Sequence, residues 1–326
     1  MGRIGGKQVV RTLGAVLAAV LLLASAPAQV ASDPPVFRVD VKLVRLLVTV
    51  KNAAGELVGS LTRDDFTILD NGVPQEIALF ERQTEQPLSI AVLVDTSAST
   101  AKDLKYEIES VRKFLRAIVN EGNPRDTVAL YSFNWEVTLQ SSFTRRLARL
   151  ENALRRLKSE GGTSMYDAIY FAAKDLEHRD GRRVIVIVTD GGDTTSAKRY
   201  HQALEEVQLA DCVIYPILVV PIPTEAGRNV GGENALTTLA QSTGGRVFTP
   251  SLGESLDAAF AEILRDLRTQ YLIGFYPKNV PLTKERFHRL DVKVSQPGYR
   301  VQARTGYFGD YEKPAPPTRG PALGQP

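Results

Sequence analysis

The sequence predicts an α/β fold in which helices cover both faces of a doubly wound, mainly parallel sheet, flanked by a small all-β unit. Three observations carry this reading. The runs LSIAVLVD from Leu88, RRVIVIVTD from Arg182 and CVIYPILVV from Cys212 are continuously apolar, as parallel strands covered on both faces are. Between them, apolar residues recur at helical spacing, first at Leu104, Ile108, Val111, Leu115 and Ile118. Outside them, from Val36 to Glu81 and again beyond Gln270, the pattern is strand alone.

The first 28 residues stand apart from this globule. Arg3, Lys7 and Arg11 precede an uncharged stretch whose core, LGAVLAAVLLLASA, has the length of an export-signal core, and Ala26-Pro27-Ala28 offers a small-x-small cleavage site. This predicts a signal peptide over 1–28, with an uncleaved membrane anchor as its alternative, an exported protein (periplasmic or secreted), and no membrane span once the signal is cleaved. The three signal residues account for the whole excess of 40 basic over 37 acidic residues in the 326-residue chain. The rest is charge-balanced, so its composition gives no basis for nucleic-acid binding. The single Cys212 lies in an apolar run and reads as a buried small side chain, with no second cysteine for an internal disulfide.

Along the chain, 36–84 reads as an N-terminal β module, with Asp70-Asn71-Gly72 as a hairpin turn. The α/β domain spans 88–268. Within it TVALYSF and EVTLQSSF form a hairpin around Asn134-Trp135, and helices carry Leu147–Leu157, Met165–Leu176 and Tyr200–Val207. RNVGGEN, from Arg228 to Asn234, reads as a connecting loop before a helix near Ala235–Thr243. A short strand at Arg246–Phe248 and a helix through Leu256 and Leu267 follow. The strands of 270–308 are expected to pack with the N-terminal module, because each half alone leaves an apolar face wet. The Pro- and Gly-rich stretch 313–326 reads as a disordered tail.

The functional signal begins at VLVDTSAST, where a buried strand gives way to Asp95, Ser97, Ser99 and Thr100. One of these residues would suffice as a helix cap, which leaves the others unexplained. Ser99-Thr100-Ala101-Lys102 matches the S-x-x-K pattern of activated serines, but the partner motifs are missing, and His178, His201 and His288 sit in charged, surface-like contexts. Two distant stretches favour a metal. Thr163 follows Gly161-Gly162 at a helix start, and Asp190 ends a second buried strand just as Asp95 ends the first. Parallel strands bring such ends to one edge of a sheet. Asp95, Ser97, Ser99, Thr163 and Asp190 are all oxygen donors, suited to hard divalent cations.

D-T-S-A-S at 95–99, Thr163 after the glycine pair, and T-D-G at 189–191 together resemble the metal-ion-dependent adhesion site of von Willebrand factor A domains, over roughly Leu88 to Arg268. The arrangement of signal, LTRDDFTILDNGVPQEI module, A domain, YLIGFYP and closing RTGYF is also similar to the von Willebrand A-related proteins of Acidobacteria. The resemblance implies Mg²⁺ (or Mn²⁺ or Ca²⁺) held by Asp95, Ser97, Ser99, Thr163 and Asp190. It implies an open coordination position that takes an Asp or Glu carboxylate from a partner protein, and a binding role without catalysis. Trp135 is a candidate partner anchor on the same edge; its alternative is to cover the rim of its own sheet. Asp167 either orients the neighbouring loop through hydrogen bonds or is a first-turn acid favoured by the helix dipole, the reading preferred here, and Asp193 reads as a loop residue or one standing behind the ligands, outside the pattern. Two alternatives stand beside the binding module: a structural envelope assembly protein with a vestigial metal site, and a serine hydrolase using Ser99 and Lys102.

Overall fold

The computed structural model describes residues 43–82, 86–219, 229–250, 256–280 and 286–309. The expected signal peptide, the start of the β module, Arg228 and the 313–326 tail lie outside the described residues.

Five strands build the central sheet: β5 (Leu88–Asp95), β6 (Thr127–Phe133), β7 (Val137–Thr144), β8 (Arg182–Thr189) and β9 (Cys212–Leu218). Their order is β7-β6-β5-β8-β9. β5 runs parallel to β6 and β8, β8 runs parallel to β9, and β7 closes one edge as an antiparallel hairpin with β6. Alternate residues of the buried strands divide between two cores, as the period of two requires. Ile90, Val92, Val94, Val184 and Val186 face one core, with α1 (Leu104–Glu121), α2 (Leu147–Leu154) and α6 (Leu256–Thr269). Ala91, Leu93, Ile185 and Ile187 face the other, with α3 (Met165–Glu177), α4 (Tyr200–Leu209) and α5 (Val230–Thr243). Cys212 is buried in this second core.

The sequence reading departs from the structure in three stretches of this domain and its flank. RNVGGEN is not a loop over its described part: α5 already begins at Val230, where Asn229 caps it by accepting from Gly232 N at 2.9 Å. The glycines serve close approach here, since a Cβ on Gly232 would lie 1.6 Å from the Gly191 carbonyl oxygen. The strand expected at Arg246–Phe248 is a single parallel bridge, Ile217 to Phe248, and Pro250 supplies no N–H with which to extend it. YRVQARTGYF is two short strands in different sheets, β12 (Arg300–Gln302) and β13 (Gly306–Phe308).

The flanking β unit takes strands from both sides of the α/β domain. Its sheets have the orders β12-β1-β10-β4 and β13-β11-β2-β3, with β1 (Val44–Lys51), β2 (Phe66–Asp70), β3 (Val73–Gln75), β4 (Ile77–Glu81), β10 (Tyr271–Phe275) and β11 (Phe287–Val294). β1 pairs with β10 and β2 with β11, both antiparallel. Asn71 and Gly72, at φ 47° and 82°, make the β2–β3 turn. Leu46, Val48, Ile68, Ile273, Phe275 and Tyr307 share one core.

His288 is not in a surface context. Its Nδ1 lies 3.0 Å from Asp70 Oδ1, and Tyr307 Oη donates to Asp70 Oδ2 at 2.6 Å, so a fully buried carboxylate ties β2, β11 and β13 together. Tyr307→Phe leaves that carboxylate short of a donor and should cost about 1–3 kcal/mol, read as a lower urea midpoint with an unchanged slope. An unchanged midpoint would show that the bond adds nothing to the closure of the unit.

Candidate metal centre

From β5 the chain builds outward through β6 and β7, then returns to the other side of β5 for β8 and β9. The strand order therefore reverses between β5 and β8, and the carboxyl ends of strands at such a reversal are where ligands of open α/β sheets gather. Asp95 is the last residue of β5, and Asp190 is the first after β8.

The Asp95 carboxylate is fully buried and held on both oxygens. Ser97 N donates to Oδ1 at 2.9 Å, and Thr189 Oγ1 donates to Oδ2 at 2.6 Å. The Ser97 and Ser99 hydroxyls stand 3.0 Å apart around a short 3-10 turn, Ala98–Thr100. The loop before α3 lies alongside: Glu160 N donates to Thr96 O, and Ser159 Oγ donates to Ser97 O, both at 2.9 Å. Thr163 is fixed by its backbone, which donates to Thr194 Oγ1 and accepts from the N–H groups of Thr194 and Thr195. Gly192 marks the recess that results. A Cβ there would lie 3.3 Å from Asp190 Oδ1, 3.9 Å from Asn229 Nδ2 and 4.0 Å from Thr163 Oγ1. Asp95, Ser97 and Thr163 are buried, while Ser99 is exposed and Asp190 half-buried, so the recess opens to solvent on their side.

The donor set suits a hard divalent ion, since it offers carboxylate and hydroxyl oxygens beside a space that a methyl group would fill. Among the described residues no three His, Cys, Asp or Glu side chains are arranged to hold a metal, so any site here depends on the hydroxyls. Burial pushes the Asp95 carboxyl up to about 6; the Ser97 and Thr189 hydrogen bonds oppose that rise, and the Asp190 charge adds to it. Burial likewise pushes Glu107 on α1 up to about 8, with Asp95, Asp103 and Asp190 adding to the rise.

The cap reading of this loop does not hold for α1. That helix starts at Leu104 with no side-chain cap, and Thr100 Oγ1 instead donates to Asp95 O and Ser97 O. The Ser99 hydroxyl bonds to Ser97, and Lys102 is exposed. Asp167 is more than a first-turn acid, because its carboxylate accepts from Ala197 N and Lys198 N and so fastens the loop after β8. Asp193 answers from that loop, accepting from Met165 N and Tyr166 N, which are free N–H groups at the start of α3. Thr194 escaped the sequence reading, and so did the parts played by Thr189 as the partner of Asp95 and by Asp193 as the cap of α3. Their signal was the density of Thr and Asp in VTDGGDTTS.

Trp135 sits beside the Thr163 loop. Its N–H donates to Gly161 O, and its Nε1 donates to Glu160 Oε2 at 3.0 Å. It is 57% exposed. Gly162, at φ 77°, allows this contact, because a Cβ there would lie 2.8 Å from Trp135 Cβ.

Residues 90–192 match the von Willebrand factor type A domain. A search of curated proteins gives no match. Among solved structures, the chain is similar to the vWF domain of the type V pili tip protein Mfa5 from Porphyromonas gingivalis, at 16% identity over 55% of this chain and 94% of that one, with TM-score 0.44. It is also similar to BatB from Bacteroides thetaiotaomicron, at 19% identity over 55% and 97%, with TM-score 0.44. The PilB minor pilin from Streptococcus sanguinis gives 12% identity over 57% and 62%, with TM-score 0.45.

The raised carboxyls set a pH dependence. Folded Asp95 and Glu107 hold protons that the unfolded chain has released, so their stabilising contribution is complete at about pH 4 and below. It is lost as pH rises through about 6 for Asp95 and about 8 for Glu107. In chelator-containing buffer, unfolding free energy should therefore fall between pH 4 and 8. Asp95→Asn should remove roughly 3 kcal/mol of that fall, by urea denaturation at a series of pH values. A wild-type profile that rises over this range would contradict the assignment.

Proposed function

We propose that the chain is an exported, metal-dependent protein-binding module. In this reading Asp95, Ser97, Ser99, Thr163 and Asp190 hold Mg²⁺, or else Mn²⁺ or Ca²⁺, and a partner protein contributes an Asp or Glu carboxylate. The supporting observation is that, just beyond the ends of the neighbouring strands β5 and β8, the Ser97 and Ser99 hydroxyls face each other and Asp190 meets Thr163 around the Gly192 recess.

Each residue's part follows from its surroundings. Asp95 supplies buried negative charge, oriented by Ser97 N and Thr189 Oγ1. Ser97, Ser99 and Thr163 supply neutral oxygens, which donate less charge than carboxylates and leave a bound cation needy of an incoming acid. Asp190 brings the second charge, with its Oδ1 fixed by Gly192 N at 3.1 Å. When bound, the ion supplies a Lewis-acidic centre that attracts the partner's carboxylate. Trp135, open to solvent beside the Thr163 loop, gives that partner an apolar contact. Export rests on the sequence of residues 1–28. Among the described residues, no helix is long and apolar enough to cross a membrane.

Thermal unfolding with and without Mg²⁺ or Mn²⁺ tests the reading. At cation near 100 times Kd the wild type should gain about 2.7 kcal/mol, and Asp95→Ala should gain nothing. No shift at saturating millimolar cation would sink the metal-dependent reading and leave assembly through the β unit. A shift that persists in Asp95→Ala would place the cation elsewhere.

A further inference from the structure

A cavity of about 30 Å³ lies between the β unit and the central sheet, at the strand ends opposite Asp95 and Asp190. Four arginines line it. Arg45 of β1 and Arg304, between β12 and β13, come from the β unit, while Arg182 and Arg183 open β8. Among the described lining residues Asp211 is the one carboxylate, and it is already engaged: it accepts from Arg304 Nη1 at 2.6 Å and stands 3.9 Å from Arg45 Nη2. The lining therefore holds positive charge in excess.

The two arginines of β8 donate to backbone carbonyls alone. Arg183 reaches Arg179 O at 2.8 Å and Ala210 O at 2.7 Å, and Arg182 reaches Leu267 O. Arg182 is only 5% exposed, and its Nε has no hydrogen-bond partner among the described residues; the buried Nε of Arg304 has none either. Burial draws the Arg182 guanidinium down to about 10, with Tyr215 and Asp126 opposing, so it stays charged at neutral pH. Buried charges are ordinarily paired, and buried N–H groups ordinarily meet an acceptor. Capping the carboxyl end of α6 accounts for one N–H of Arg182 but leaves its Nε over, and it gives no account of Arg304 Nε. A water would fit, since 30 Å³ is about its share of liquid volume, but it brings no charge. An anion of similar size supplies both the acceptor and the charge, whereas a tetrahedral oxyanion exceeds the room.

We propose that this cavity takes one small monovalent anion, chloride, held by Arg45, Arg182, Arg183 and Arg304, and that the ion fastens the β unit to the α/β domain. Two of its arginines belong to each side of that junction, so docking the two parts brings like charges together and the ion offsets their repulsion. The site stands apart from the recess at Asp95 and does not rest on the cation reading.

The test replaces gluconate, an anion too large for the cavity, by chloride at fixed ionic strength. The full chain is followed by thermal unfolding and by the line width of the chlorine NMR signal. At saturating chloride the wild type should melt about 3 °C or more higher than in gluconate, and it should broaden the chloride signal saturably. Arg45→Gln, at a half-buried position, should need at least about threefold more chloride for the same shift. Arg182→Met removes the buried charge and should abolish the response. Lys105→Gln, an exposed position on α1, should respond as wild type does. Equal melting in the two salts would overturn the proposal and leave water in the cavity. A shift without saturable broadening would be a salt effect and not binding, and would overturn it too. So would a full response in Arg45→Gln and Arg182→Met, which would place the ion elsewhere. If Arg182→Met does not fold, Arg45→Gln decides: a chloride midpoint equal to that of wild type overturns the proposal.

Discussion

The hydrogen bond from Thr189 Oγ1 to Asp95 Oδ2, 2.6 Å long and shut away from solvent, joins the ends of the two strands between which the sheet reverses. A carboxylate placed there must be desolvated, and desolvation disfavours its charged form. Thr189 and Ser97 N recover part of that cost and fix both oxygens. Thr189 Oγ1 also accepts from Gly191 N, so the same hydroxyl that orients Asp95 sets the turn carrying Asp190. The relative placement of the two acids therefore follows from one threonine. The other parts of the recess are arranged around that pair.

Those parts are held by reciprocal contacts between loops. Asp193 caps α3 from the loop after β8, while Asp167 in α3 accepts from the far end of that loop. Thr163 lies between, gripped by Thr194 and Thr195 through its backbone. On the remaining side the start of α5 approaches Gly191 closely enough that Gly232 cannot carry a side chain. Such a set of fixed donors suits a small ion, whose ligands gain most when their ordering cost is met on folding.

The elements of the α/β domain were legible because each buried strand and amphipathic helix repeats its period over several residues. Val92 and Leu93 separate into the two cores as their alternation requires. The ends were harder. The glycines of RNVGGEN suggested a loop, yet Asn229 caps a helix whose first turn needs them for its contact with Gly191. The five oxygen-bearing residues could be picked out since two of them end strands of the same kind. Asp193 could not be assigned its part, and the loop contact of Asp167 was the less favoured of two readings, because each acts on backbone N–H groups about 30 residues away, and no local pattern records that pairing. His288 misled for the same reason: its partner Asp70 lies 218 residues earlier in the chain.

The β unit meets the α/β domain at the other end of the strands. Arg304 donates to Asp211, just before β9, and Gln270 Nε2 bridges Thr49 of β1 to Tyr215 of β9. A strand of seven or eight residues is roughly 25 Å long, so the recess points away from the unit that takes in both ends of the domain. α6 passes into β10 with Gln270 alone between them, and β10 is paired on both sides by β1 and β4. A displacement of α6 along its axis would have to shear those ladders or unwind the helix end. The carboxyl end of α6 is thereby anchored by the β unit.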